Sequence, residues 1–215
     1  MFTGFCPETM DFLWGIRMNN NRQWFEAHKE QYNQYLYRPI KALGQAVFSG
    51  FPAGLELKVS RIYRDARLHP PVPYKESLWI CIRQAVESWS QHPALFFELR
   101  PEGASYGFLL WQPRAQVMEA FRQDLAARPT HFPALVDRAQ TESGFILNAE
   151  SYRRPKPCPI PELAPYYSWK NNLTAMASLE PGPALFSPDL AGQVRQALLA
   201  WVPVSQYFSL LTQSA

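Results

Sequence analysis

The chain has 215 residues, 47% of them apolar and 18% charged, which allows a sizeable core and excludes global disorder. Its 21 basic and 18 acidic residues leave a formal net charge of +3, short of the clustered, strongly basic footprint of a nucleic-acid binder. No apolar run approaches the ~18 residues of a membrane span. Cys6, Cys81 and Cys158 are scattered and odd in number, which supports neither a disulfide framework nor a zinc-binding pair. A soluble cytoplasmic protein with no cofactor, no metal and no membrane partner is the expectation.

Pro7 and Glu8 open a first helix, because proline suits the first helical position and a carboxylate suits the positive end of the helix dipole. Phe12, Leu13 and Ile16 then fall on one face. The run Asn19-Asn20-Asn21 stops this helix and starts the next, with Asn20 as N-cap and Gln23 completing a capping box. The second helix is expected from about Arg22 to Tyr37, with a broad aromatic face, and Pro39 is expected to break or kink it. Ile40, Leu43 and Val47 continue as a further helical piece.

Strand signals follow. Residues 57–63 alternate β-branched and aromatic positions, and residues 78–83 are apolar on both faces, as in a central strand. Residues 95–100 and 105–111 flank a Gly-containing loop, which reads as a hairpin. Pro113 starts an amphipathic helix reaching Arg128, and Thr130 can cap another. Residues 145–147 suggest a short strand and residues 173–179 a late one. The Pro-rich stretch 153–165 reads as a surface loop with one helical turn near its end, and Ser187-Pro188-Asp189 caps a final helix.

This order predicts a single α+β domain with a largely antiparallel sheet. Residues 1–50 form a helical hairpin, 55–111 the main strands, 113–143 helices, and 145–215 late strands and a C-terminal helix packed on the sheet.

The segments Asn19-Asn20-Asn21-Arg22-Gln23-Trp24-Phe25, Arg61-Ile62-Tyr63-Arg64-Asp65-Ala66-Arg67 and Pro73-Tyr74-Lys75 together resemble a family of conserved hypothetical proteins of unknown function. That family carries an N-N-N-R-x-W-F signature and a Y-R-D-x-R segment. The resemblance covers most of the chain and implies one domain, but no activity. The family's usual Phe-Ser-Lys-Asp-Lys run after the last arginine is replaced here by Leu68-His69-Pro70-Pro71-Val72.

Between Lys58 and Lys75 the chain carries five cationic residues against one acid, Asp65. Guanidinium groups grip phosphates and carboxylates through paired hydrogen bonds. In an extended segment Arg61, Tyr63, Asp65 and Arg67 share one face, with Ile62 and Arg64 on the other. The functional reading is a cleft for an anionic small molecule, bound or chemically transformed, built from Arg61, Arg64, Asp65, Arg67, Tyr74 and Lys75, with Asn21, Arg22 and Trp24 beside it. The competing structural reading is an ion-pair network with Glu26 or Glu30, helix capping by the asparagines, and Trp24 in the core. A protein-interaction module using the aromatic surface is a second function class, and a single-stranded nucleic-acid binder is a third, which the near-neutral charge opposes. No pair of histidines has metal-ligand spacing, and no nucleotide-loop or nucleophile-elbow motif occurs.

Overall fold

A computed structural model describes residues 1–65, 72–86 and 89–214. Helix α1 (Pro7–Met18) begins at Pro7, with Thr9 Oγ1 accepting from the Cys6 N–H at its N-terminus. The chain then runs through α2 (Arg22–Ala27), α3 (Lys29–Gln31), a π-helical stretch at Tyr32–Tyr37 and α4 (Arg38–Phe48). The single helix expected over 22–37 is thus interrupted at His28 and widened from Tyr32.

The widening has a local cause. In a regular α-helix the N–H of residue 39 would bond the carbonyl of residue 35, but Pro39 has no N–H and its ring crowds that carbonyl. The chain does not break there. It opens to the wider turn, and the Arg38 N–H reaches back to the Asn33 carbonyl. The orphaned Tyr35 carbonyl accepts instead from the buried Thr9 hydroxyl at 2.6 Å. Thr9→Val keeps the shape and removes the donor. It should lower stability by about 1–3 kcal/mol, since the Tyr35 carbonyl and the Cys6 N–H both lose their bond to Thr9 Oγ1, measured by urea unfolding.

Six strands form one antiparallel sheet in the order β1-β2-β3-β4-β6-β5. They are β1 (Leu55–Val59), β2 (Leu78–Gln84), β3 (Ala94–Arg100), β4 (Gly103–Leu110), β5 (Asn148–Ser151) and β6 (Trp169–Leu179). Strand β1 stops before the predicted Tyr63 because the ladder is interrupted at Ser60: the Trp79 N–H donates to the Ser60 side chain, not to a carbonyl. The β3–β4 hairpin is tighter than expected, since Arg100 pairs with Gly103 and only Pro101 and Glu102 form the loop. The strand anticipated at 145–147 lies at β5 instead. Phe145 and Leu147 are buried in the core, while β5 pairs with β6 through two register shifts.

Helices α5 (Ala115–Ala127), α6 (His131–Ser143), α7 (Ala164–Tyr167), α8 (Pro183–Phe186), α9 (Leu190–Ala200) and α10 (Val202–Ser214) complete the chain. The helical layer meets one face of the sheet. The Gly44 backbone of α4 sits over Ile80 and Leu57, and Phe108 of β4 stacks on Trp201 and Phe208. This face, with Leu78, Ile80, Ile82, Leu95, Phe97 and Leu99 on β2 and β3, forms the core.

One charged residue is built into that core. Arg122 of α5 is 6% exposed. Its guanidinium donates to the carbonyls of Tyr167 at 2.9 Å, Trp169 at 2.8 Å and Met118 at 3.0 Å. The Tyr167 hydroxyl returns a bond to the Arg122 carbonyl. The group thereby fastens α5 to the start of β6.

Candidate functional site

The three consecutive asparagines have three separate tasks. Asn19 donates its side-chain amide to the Gly15 carbonyl and closes α1. Asn21, not Asn20, is the N-cap of α2, accepting from the Trp24 N–H at 2.9 Å. Asn20 leaves the helices altogether. Its amide oxygen accepts from the Tyr74 N–H and its amide nitrogen donates to the Tyr74 carbonyl, both at 3.0 Å. A planar primary amide offers one donor and one acceptor side by side, the pattern that the N–H and C=O of one extended residue present. The Asn-rich and Pro-Tyr-Lys motifs therefore grip each other across 54 positions. Nearby, Arg17 in the last turn of α1 bonds Glu76 at 2.8 Å and also Glu102, which fixes the same segment from its other end.

Residues 60–64 and 73–79 run antiparallel beyond the regular strands. The Arg64 N–H donates to the Pro73 carbonyl, the Lys75 N–H to the Ile62 carbonyl, and Tyr63 and Tyr74 form a bridge. The alternation read from the sequence is visible here: Arg61, Tyr63 and Asp65 are exposed, Ile62 is buried and Arg64 half-buried. Arg67 lies outside the described residues.

The expected site residues divide into three groups. Arg64 and Lys75 stand together. The Arg64 Nε donates to the Tyr74 carbonyl at 2.9 Å. The Lys75 ammonium lies 5.6 Å from the centre of the Trp79 ring. Burial, and then the Arg64 charge, hold the Lys75 pKa below its ordinary value. Arg61 and Asp65 project from the exposed side of the segment. Arg22 and the Tyr74 side chain belong to the third group. The Tyr74 ring stacks on Phe25 at 4.3 Å. Its hydroxyl is pushed upward by burial and by Tyr63 and Glu26, with Arg22 and Lys29 opposing.

Trp24 is engaged elsewhere. It stacks on His28 at 4.0 Å and packs on α1 at Gly15, where an added Cβ would come within 2.6 Å of its ring. It lines a surface depression of about 330 Å³ with Phe12 and His28, and a second depression of about 430 Å³ lies along α2, α3 and the π-helical stretch. Neither is lined by Arg64 or Lys75. Among the described residues no group of three or more His, Cys, Asp or Glu is placed to hold a metal ion. The three cysteines are free, and burial pushes the Cys81 thiol up to about 12, far from a nucleophile's range.

Two residues central to this geometry were absent from the sequence-derived set. The sequence suggests only a cap for Asn20. Trp79 reads from the sequence only as part of a central strand, although its alternation with the core-facing Leu78 and Ile80 places it on the other side of the sheet.

Among the described residues, neither Arg64 nor Lys75 has a carboxylate partner. What the site defines is a small cationic corner, built on an irregular two-stranded extension of an antiparallel sheet and held by a helical hairpin. The chain belongs to the DUF2461 family of conserved hypothetical proteins, which matches residues 8–207. No curated protein matches it. No helix among the described residues is long and apolar enough to cross a membrane.

Proposed function

We propose that this protein binds a small molecule through an anionic group, a phosphate or a carboxylate, held by Arg64 and Lys75. The observation that carries the reading is the pair itself, which has no carboxylate partner among the described residues. The two cations are half-buried on one face of the segment, and burial and then the Arg64 charge both lower the Lys75 pKa. An anion between them removes that repulsion and gains charge-assisted hydrogen bonds. Arg64 is pre-oriented by its bond to the Tyr74 carbonyl, and Tyr74 by Asn20, so little is lost in ordering the site on binding. Three free thiols support a reducing compartment as the place where this happens.

Calorimetric titration with pyrophosphate at low ionic strength tests the reading. Lys75→Met should weaken binding at least tenfold, and Arg61→Gln, on the exposed side, should leave it unchanged. Equal affinity in the parent and Lys75→Met proteins would overturn the assignment. The pH dependence has a fixed sign. Lys75 titrates below its ordinary 10.5, so affinity should fall as pH rises through that lowered pKa. Stability without ligand should rise over the window between the lowered pKa and 10.5, because there the folded chain has shed a proton that the unfolded chain still holds.

A further inference from the structure

The depression of about 330 Å³ beside Trp24 has a lining that the anion reading does not use. Glu8, Asp11 and Phe12 reach it from α1, at the i, i+3 and i+4 spacing of one helix face. Trp24, His28, Gln31 and Tyr35 reach it from the opposing helical run, at successive intervals of four, three and four residues, again one side. The two sides are held together at both ends. The Trp24 ring lies against Gly15, and the Thr9 hydroxyl bonds the Tyr35 carbonyl. A groove is thus built between them, with the 3% exposed Phe12 as its floor. Tyr35 enters it from the π-helical stretch, a widening that often accompanies functional sites.

The chemistry of this lining is one-sided. Among the described residues no lysine or arginine lines the groove. Asp11 has no hydrogen-bond or ion-pair partner among them. Hydrogen bonding from its own backbone N–H, and then from the Cys6 side chain, holds the Glu8 pKa below its ordinary value. His28 adds an acceptor. Its Nδ1 lies 2.7 Å from the Trp24 carbonyl, which can only accept, so Nδ1 carries the proton and the neutral ring keeps a lone pair on Nε2. The remaining walls are aromatic. Trp24 and His28 stack with ring centres 4.0 Å apart, and Phe12 lies 5.6 Å from Trp24, tilted by 44°. Aromatic faces are electron-rich and attract cations.

Carboxylates and rings both favour positive charge, and they select among cations. A bare metal ion needs several oxygen or nitrogen ligands, and no group of three or more His, Cys, Asp or Glu is placed to supply them among the described residues. A guanidinium or primary ammonium needs an acceptor for each N–H, which rings supply poorly. A methylated ammonium has no such need, because it spreads its charge over methyl groups that pack directly on rings. We propose that this groove binds a small methylated ammonium ion of the choline type, its methyl groups against Phe12, Trp24 and Tyr35 and its charge beside Asp11 and Glu8. This is a second binding site, opposite in charge to the Arg64–Lys75 corner and independent of the anion reading.

The test is calorimetric titration of the full chain at low ionic strength with two probes. One is choline. The other is its neutral carbon analogue, in which a tert-butyl group replaces the trimethylammonium and the shape is kept. Choline is expected to bind at least about tenfold more tightly. Asp11→Asn, at an exposed position with no partner to lose, should weaken choline several-fold and leave the neutral analogue unchanged. Tyr35→Leu keeps apolar volume and removes a ring, and it should weaken choline by a similar factor. The bond from Thr9 goes to the Tyr35 backbone, so this side-chain change leaves it in place. Lys75→Met should bind choline as the parent does. Equal affinity of the parent for the two probes, no binding of choline, or an Asp11→Asn protein that binds choline as tightly as the parent would overturn the inference. Loss of choline binding in Lys75→Met would also overturn it, by tying the ammonium to the other site.

Discussion

Asn20→Ala should lower stability by about 2–4 kcal/mol, several times what a surface asparagine contributes. The substitution removes both bonds to Tyr74. The Tyr74 carbonyl keeps its bond from Arg64, but the Tyr74 N–H loses its only partner among the described residues. An unmet, partly buried donor costs about 1–3 kcal/mol, and each lost bond adds about 0.5–1.5. Asn21→Ala is the comparison. It removes one helix cap, worth typically about 1 kcal/mol. Urea unfolding of the two variants with unchanged m-values measures the difference. If Asn20→Ala costs no more than Asn21→Ala, Asn20 is not the clamp that the geometry describes. On the proposed anion reading the same variant should weaken pyrophosphate binding, because the Tyr74 carbonyl that Asn20 holds also orients Arg64.

Arg122→Met is expected to cost about 3–4 kcal/mol. Methionine fills much of the same volume, so the loss isolates the guanidinium. Hydrogen bonds from a charged donor contribute about 1.5–3 kcal/mol each, and the carbonyls of Tyr167 and Trp169 are reached by different nitrogens of the same fork. Relief of the buried charge offsets part of the loss. Arg122→Lys should fall between parent and Met, near 2 kcal/mol, since a single ammonium cannot span two carbonyls as a planar fork does. A methionine variant as stable as the parent would mean that desolvation cancels the hydrogen bonds. Thermal unfolding by calorimetry decides between these outcomes.

Where a segment's structure was determined by its own residues, the sequence was a good guide. Strand β2 reads as central from Leu78 to Ile82, and it is paired on both sides. The β3–β4 hairpin follows from two strand-like runs around Pro101 and Gly103. The α+β class follows from the order of these elements. What the sequence concealed depended on distant partners. The capping chemistry of Asn19-Asn20-Asn21 was evident, but which asparagine capped was not, because Asn20 is drawn away by Tyr74. Pro39 reads as a helix breaker until Thr9 supplies the missing donor from another helix. The alternation of residues 61–65 was legible. That Arg64 would face the same side as Lys75 was not, because it depends on the backbone pairing of residues 62–64 with 73–75.

The sheet's two margins bear on how the protein behaves at high concentration. Open sheets invite a second chain to add to an unpaired edge, and long flat apolar edges seed aggregates. Here β5 is four residues long, Asn-Ala-Glu-Ser, and its pairing slips twice within that length. An incoming strand finds no continuous ladder and little apolar surface there. At the opposite margin β1 carries Glu56 and Lys58 on the outer face, and its hydrogen bonding becomes irregular at Ser60. A foreign strand would have to bury those charges in register to extend the sheet. The irregularities within β5 and at Ser60 thus also discourage edge-to-edge association.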